Sequence, residues 1–423
     1  MRSSVAVSAT VPRAREVQPR RRALGALRHR NYRLLLGGLL ISGVGSWTQS
    51  LAQTWLVLRL THSALMVGAV LAIQHLPALF AFPLARPLTA HYPRRRLLQV
   101  TQATSMLPSL LLFAATAAHV VTFAAVLIAA LAQGIVQAVE TPTRQAFVLE
   151  MVGREDLVNA ISLNSAIGNL ASVVGPAVAG LLISTAGLPL CFLVNAASDL
   201  AVIAATALVR DLPSLLGTDR GPSPLAGLVQ GARYVRCDPI VSSMLIVAGT
   251  LALFGTNRLT VLPLFAEDVL GAGPPGFGFL VAAFGLGTLT AGLALPLVPY
   301  RGGRRQLWTG LAWPLLLAGF AVSRSLPLSI ALLFLAGVCH GDFFAGIGSR
   351  VQAATPERLR GAVVALYSQV LIGVGPLGAM QAGALTALLG APVAVGVGAG
   401  VAGLVVLGVR LLQPAAFTFE LPD

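Results

Sequence analysis

Four ionisable side chains lie inside strongly apolar stretches of the chain: Glu140, Asp199, Arg258 and Asp342. Insertion scales give a cost of roughly 2.5–3.5 kcal/mol for a charged side chain at the centre of a membrane helix, so such residues are functional candidates by default. A carboxyl group that faces a partly dry cavity can bind and release a proton, whereas an arginine stays charged and can hold an anionic group.

We therefore predict Asp342 as a proton site, and Arg258 as a substrate contact or as the counter-charge of a carboxylate. The alternative for both is a structural pair among polar neighbours. Asp199 is a weaker candidate for the same pathway, because polar residues within one helical turn favour a local polar cluster. Gln49 and Gln53 either line the pathway or link helices through hydrogen bonds worth ~0.6 kcal/mol each.

The other reactive residues form no catalytic or metal-binding pattern. The three cysteines are far apart and the histidines are scattered. All 29 basic residues are arginines, so the lysine with which a Walker A loop binds ATP phosphates is absent. We expect neither an enzyme nor a bound metal or cofactor.

The elements that must position these residues are membrane helices. The 423-residue chain is 56% hydrophobic and only 10% charged, against about 25% charged in a soluble domain. Apolar runs of roughly 20 residues recur, and each can cross a bilayer only as a helix. The predicted spans are 33–58, 64–84, 97–117, 121–140, 158–185, 189–209, 240–264, 277–299, 306–323, 327–347, 362–389 and 392–412. The predicted fold class is an all-α polytopic membrane protein with twelve transmembrane helices.

The arginines predict the orientation. The net charge of +14 would suit a nucleic acid, but the arginines lie in short clusters between the spans. If the N-terminus is inside, all arginines except Arg59, Arg258 and Arg324 fall on the inner side. Arginine-rich inner loops set the orientation of membrane proteins. We predict a multi-pass protein of the inner (plasma) membrane, with both termini cytoplasmic, the lipid bilayer around it and no nucleic-acid partner.

The chain divides into two similar halves. The predicted segments are a basic tail 1–32, a six-helix bundle 33–209, a cytoplasmic linker with an amphipathic helix 210–239, a second six-helix bundle 240–412 and a tail 413–423. Gly175–Pro176 in the fifth span recurs as Gly375–Pro376 in the eleventh. Parallel six-helix repeats are one architecture of secondary carriers.

Several longer strings resemble one known family. They are Arg30–Asn31–Tyr32–Arg33, Trp55–Leu56–Val57, Thr141–Pro142–Thr143–Arg144–Gln145 and Arg154–Glu155–Asp156–Leu157–Val158–Asn159–Ala160. With them the chain resembles the major facilitator superfamily, in its enterobactin-exporter-like and macrolide-efflux-like branch, the transmembrane secretion effectors. The resemblance covers about residues 28–412. It implies two pseudo-symmetric six-helix bundles and alternating access, usually driven by proton antiport.

The resemblance also assigns roles to residues. Spans one, four, seven and ten line the central cavity in this superfamily, which places Glu140, Arg258 and Asp342 near the substrate path. The fifth-span motif from Gly175–Pro176 to Gly180 resembles the antiporter motif that seals the cavity between the halves; its counterpart is Gly375–Pro376. The loop after the second span keeps the family's basic cluster, Arg94, Arg95 and Arg96.

That loop also departs from the family pattern. Arg86 and Ala90 stand where a glycine and an aspartate are usual. The aspartate normally takes part in a charge pair that holds the inward-facing and outward-facing states apart. Its loss removes that pair from this chain, unless other contacts replace it.

Three functions fit these observations. The first is a secondary transporter that exports an amphipathic small molecule, such as a drug, siderophore or secondary metabolite, by proton antiport. The sparse fixed charges favour an apolar cargo. The second is a nutrient importer of the same fold, and the third is a membrane scaffold or sensor that transports nothing. We expect the protein to act as a monomer.

Overall fold

The computed structural model describes residues 25–80, 88–89, 91–210, 224–255, 257–294 and 303–418, and nearly all of them are helical. The helices of the N-terminal half are α1 (Arg30–Thr61), α2 (Ala64–His75, continued by a 3-10 turn Leu76–Phe80), α3 (Arg94–Ala117), α4 (Phe123–Gly153), α5 (Glu155–Thr185) and α6 (Leu188–Ala207). The long apolar segments of the sequence account for all of them.

A linking helix and a second set follow. They are α7 (Pro224–Cys237), α8 (Pro239–Gly255), α9 (Arg258–Leu264, continued by a π-helical turn Phe265–Val269), α10 (Gly273–Ala294), α11 (Gly303–Val322), α12 (Leu326–Ala354), α13 (Glu357–Gly373), α14 (Gly375–Leu389) and α15 (Ala391–Leu412). A short turn, Ala415–Thr418, ends the described chain. The predicted all-α architecture is confirmed.

The described helices run between two faces. Ten helical segments are long and apolar enough to cross a membrane, and α2 and α11 connect the same two faces. One face carries both ends of the described chain: His29 contacts Asp156 at the start of α5, and Phe417 lines a small cavity with Arg350 near the end of α12. We call this the terminal face. The turns at 61–64, 117–123, 185–188, 322–326 and 389–391 mark the opposite face.

Two predicted boundaries were wrong. The segment 141–157, predicted as a loop, is helical and continues α4 into α5 with one kink at Gly153. Gly153 has φ +71°, a conformation open to glycine and strained for other residues. The predicted span 240–264 is interrupted at Asn257, whose side-chain Nδ2 donates to the carbonyl of Leu253 at 2.6 Å. This local bond competes with regular helical pairing, so α9 starts as a separate segment.

The linker helix α7 packs on α13. Gly231 lies against the backbone of Ala362, and the hydroxyl of Tyr234 donates to the Asp238 carboxylate at 2.8 Å. Burial, and then the Asp238 carboxylate, raise the pKa of Tyr234 to about 12. Val229 on the same helix is 62% exposed. The buried face of α7 therefore passes through Gly231 and Tyr234, and its position on a membrane leaflet stays a prediction.

The two halves meet along a seam between α5 and α10. Pro176 and Gly180 lie against Gly278, and a Cβ atom at Gly278 would overlap the backbone of α5. Further along, Gly285 lies against the carbonyl of Ser172. Small residues let two helix backbones approach this closely.

A second seam joins α2 to α14. Gly68 lies against the backbone of Ala379, and Gly383 lies against Ala64. α2 and α14 run antiparallel, and the end of this seam at Ala64 lies next to the turn at 61–64. The end of the first seam at Gly180 lies near the turn at 185–188. Both of these ends therefore lie toward the opposite face.

Both seams open toward the terminal face. The side of α5 that meets α10 continues through Ser165, Ile161 and Val158 at helical spacing, and there it is exposed, by 75% at Val158. On the second seam α13 still contacts the N-terminal half where Gly373 lies against Leu79, and beyond this contact the residues toward the terminal face are exposed: Gly361, Ala365 and Ser368. The halves are therefore closed at the opposite face and separated at the terminal face.

Candidate functional site

A cleft lies inside the C-terminal half, and the space free of protein atoms in and around it, open solvent included, is about 590 Å³. It is formed by six helices of that half, α9 to α12, α14 and α15, together with the end of α8. Its polar lining consists of Asn257, Arg258 and Gln381, and the other lining residues are apolar, Phe284 and Phe320 among them. The helix break before α9 brings Asn257 and Arg258 to the cleft, as discontinuous helices do in other carriers.

The guanidinium group of Arg258 lies over an aromatic ring. Its guanidinium carbon lies 4.6 Å from the centroid of the Phe284 ring, a cation–π contact. Its Nε is buried without a hydrogen-bond partner, and no ion pair involves Arg258 among the described residues. The cleft therefore contains a fixed positive charge.

An aromatic cluster that sequence reasoning missed adjoins this arginine. The ring of His340 lies 5.1 Å from Phe284, 5.1 Å from Trp313 and 4.6 Å from Phe344, between centroids. His340 Nδ1 and Trp313 Nε1 are buried without partners. The scattered positions of these residues in the sequence gave no signal for the cluster.

Asp342 pairs with an arginine on the neighbouring helix. Arg305 Nη2 on α11 lies 2.6 Å from Asp342 Oδ1 on α12. The same oxygen has no hydrogen bond of good geometry, so the contact is an ion pair without an aligned N–H. The Asp342 side chain is 6% exposed and that of Arg305 25%. The structure thus gives Asp342 a partner other than Arg258.

The N-terminal half has a related pair. Arg94 on the first turn of α3 lies 2.5 Å from Glu150 near the end of α4, and both side chains are about one-tenth exposed. Arg95 donates to the carbonyls of Ala207 and Val209 and so satisfies the end of α6, whereas Arg96 is exposed. The basic cluster therefore makes its described contacts within one half. The positions of Arg86 and Ala90 lie outside the described residues.

Glu140 is paired on its own helix. Arg144, one turn later, donates to its carboxylate at 3.1 Å. The Gly–Pro motifs lie at the seams: Gly175 is packed against Trp47 of α1, while Pro176 reaches α10. Near Gly375–Pro376, Gly378 lies against Asn257 at the cleft. Their roles in gating stay a prediction.

Asp199 belongs to a buried polar network in the N-terminal half. Ser42 on α1 donates to its Oδ1 at 3.0 Å, and its Oδ2 has no hydrogen bond. One turn earlier, Asn195 donates to Gln49 at 2.9 Å and to Ser109 at 3.0 Å. Gln49 thus links α1 to α6, and the network has the form of the local polar cluster considered from the sequence. Gln53 is also buried, and its amide nitrogen has no partner.

Removing the centre of this network should destabilise the protein. Asn195→Ala strands the buried acceptors of Gln49 and Ser109, and an unsatisfied buried polar group costs about 1–3 kcal/mol. We expect a clear fall in the melting temperature of the detergent-purified protein. Ser162→Ala, which removes an exposed hydroxyl bonded within its own helix, is the matched control and should leave that temperature unchanged. Equal melting temperatures for both variants would contradict the network's stabilising role.

Comparison with protein families now identifies the chain's relatives. Residues 22–418 match the transmembrane secretion effector family. The chain belongs to this family. It is 28% identical over 366 residues to the multidrug efflux pump Tap of Mycolicibacterium fortuitum, covering 83% of this chain and 88% of Tap. It is 27% identical over 265 residues to the enterobactin exporter EntS of Escherichia coli, covering 62% of each chain.

The solved structures agree on the fold. The nucleoside transporter NupG matches with a TM-score of 0.72 at 16% identity, over 92% of this chain and all of NupG. At that identity the match shows the fold alone, that of the major facilitator superfamily. This transmembrane secretion effector is thus a multi-pass membrane transporter of small molecules and not an enzyme, and the resemblance seen in the sequence is confirmed.

Proposed function

We propose that this transporter exports an amphipathic small molecule by alternating access, in exchange for protons. The observation that carries the proposal is that both seams are closed at the opposite face and open at the terminal face. If the terminal face is cytoplasmic, as the arginine distribution predicts, the separation between the halves faces the cytoplasm. Tap and EntS, named as an efflux pump and an exporter, support the outward direction.

The small-residue seams are suited to such a cycle. Contacts through glycine and alanine have no interlocked side chains, so these two seams can part without repacking large groups. At the opposite face the halves also meet through the stacked rings of Trp55 on α1 and Phe277 on α10, and these rings must separate in the same step. The mostly apolar lining of the cleft inside the C-terminal half favours a cargo with substantial apolar surface.

Export can be tested by an untargeted measurement of all detectable small molecules, which also identifies the cargo. Small-molecule contents of cells and medium are compared between the native strain and a strain that lacks the gene. A compound that accumulates inside the deletion strain and falls in its medium supports export. Lower levels inside that strain, with the compound left in the medium, would instead establish import.

We propose Asp342 as the proton site of the exchange. Protonation would remove the negative charge from the Asp342–Arg305 pair and so weaken one contact between α11 and α12, beside the hydrogen bond from Gln306 to the Phe343 carbonyl. Arg305, a quarter exposed, can then turn toward water. The pair thus offers a contact that a proton can break.

Asp342→Asn should therefore uncouple transport from the pH gradient. In proteoliposomes we expect the variant to lose at least tenfold in gradient-driven flux of the identified cargo, while it still binds that cargo. Glu357→Gln, at an exposed carboxylate in the first turn of α13, is the control and should keep full coupling. Normal gradient-driven flux in Asp342→Asn would remove Asp342 from the proton pathway.

A further inference from the structure

The positive charge of Arg258 has no counter-charge in the C-terminal half as described. The described acidic side chains of that half either have another partner or are exposed. Asp238 caps α8 by accepting from two backbone N–H groups at 3.0 Å, and Asp342 pairs with Arg305. Glu267, Asp268 and Glu357 are exposed at the ends of helices.

An arginine that lies in a cleft without a carboxylate is unusual inside a membrane bundle. Its guanidinium cannot lose its proton, and its Nε–H has no acceptor. Buried polar groups without partners call for an explanation, and an absent ligand is one such explanation. A second orphan in the same cleft, Gln381 Oε1, supports this, because its amide can offer either an acceptor or a donor once reoriented.

The rest of the lining specifies the body of such a ligand. Phe284 presents its ring beneath the guanidinium, and Phe320, Leu317 and Leu333 form apolar walls. A ligand with a planar or apolar body would contact these walls, and an acidic group on that body would be placed at Arg258. A cationic ligand would meet the uncompensated charge of Arg258 at short range and in a medium of low dielectric.

We propose that this cleft binds an organic anion: a small molecule with an ionised acidic group, such as a carboxylate or phenolate, on an aromatic or apolar body. The proposal rests on the proposed function in that this anion is the exported cargo. Arg258 pairs with the acidic group, Phe284 contacts the body, and the Gln381 amide hydrogen-bonds to a polar substituent.

Two dyes that share a xanthene ring and differ in charge test the inference. Fluorescein is anionic and rhodamine 6G is cationic. Binding of each to the purified full-length protein in detergent is measured by fluorescence anisotropy. We expect the wild type to bind fluorescein at least tenfold more tightly than rhodamine 6G. Arg258→Gln should weaken fluorescein binding at least tenfold, whereas Arg258→Lys should keep the preference for the anion. Arg324→Gln, at an exposed arginine near the opposite face, is the control and should bind as the wild type does.

Several outcomes would overturn the inference. One is equal fluorescein affinity in Arg258→Gln and wild type; another is tighter binding of rhodamine 6G by the wild type. If Arg258→Gln does not fold, the preference of the wild type between the two dyes decides alone. Displacement of fluorescein by chloride, but not by gluconate at equal ionic strength, would assign Arg258 to an inorganic anion instead.

The proposal can fail separately from the proposed function. The binding assay uses no gradient and no membrane, so it is insensitive to the direction of transport and to proton coupling. Anion binding at Arg258 with no export in cells would contradict the proposed function alone. Export with no dependence of cargo affinity on Arg258 would contradict this inference alone.

Discussion

Gly278→Leu should open the α5–α10 seam and stop transport. A Cβ atom at this position already overlaps the carbonyl of Pro176 and the backbone of Gly180. Backbone atoms inside two helices cannot move aside as a flexible side chain can, so the halves must separate at the opposite face. We expect a loss of transport of at least tenfold, with a protein that still purifies as a folded species.

The separation can be measured directly. In a variant whose three cysteines are replaced by serine, a single cysteine is placed at Ala179, which is fully buried beside Gly180. Its labelling by a maleimide should be at least tenfold faster when Gly278 is also changed to leucine. Gly292→Leu on the same helix is the matched control, because a Cβ atom there meets open space. A buried, unlabelled cysteine in the Gly278→Leu protein would show that the seam absorbs the leucine.

Helix positions followed from the sequence because one physical requirement dominates them. A segment in lipid must satisfy its own backbone hydrogen bonds and present apolar side chains, and both demands are visible in local composition. The helix interruption at Asn257 was missed because its visible cause is local, a side-chain hydrogen bond from Asn257 to the Leu253 carbonyl. The helical course of 141–157 was missed because a polar sequence reads as a loop, although α4 and α5 extend beyond the apolar zone.

The candidate residues were named from the sequence, but their partners were not. Scarcity of charge inside apolar spans is enough to single out Arg258 and Asp342. Which groups meet depends on helix register and rotation, which local composition does not encode. Asp342 lies beside Arg305 because α11 and α12 are antiparallel neighbours, and Asp199 accepts from Ser42 across 157 positions of the chain. Only the folded structure shows that Arg258 lies in a cleft without an ion pair to any described residue, whereas the charge of Asp342 is neutralised by Arg305.

Stability should respond unequally to the two partners of the Arg305–Asp342 pair. Arg305→Gln leaves a carboxylate that is only 6% exposed without its counter-charge, and breaking a buried pair in this way costs about 3–5 kcal/mol. Asp342→Asn leaves an arginine that is 25% exposed and long enough to reach water, so the cost is smaller. The double variant Arg305→Gln with Asp342→Asn should recover most of the stability lost by Arg305→Gln.

Melting temperatures of the purified variants decide this prediction, and the Arg94–Glu150 pair supplies the comparison. Its two side chains are 11% and 9% exposed, so Arg94→Gln and Glu150→Gln should lower the melting temperature by similar amounts. A lone charge is destabilising to the degree that it is kept from water, and of these two pairs it is Arg305–Asp342 that combines one partner near water with one that is buried. Equal losses for Arg305→Gln and Asp342→Asn, with no recovery in the double variant, would show that packing rather than charge compensation stabilises this contact. An unequal loss with recovery would establish that Arg305 stabilises the ionised carboxylate of Asp342. A contact between α11 and α12 that protonation weakens requires this stabilisation.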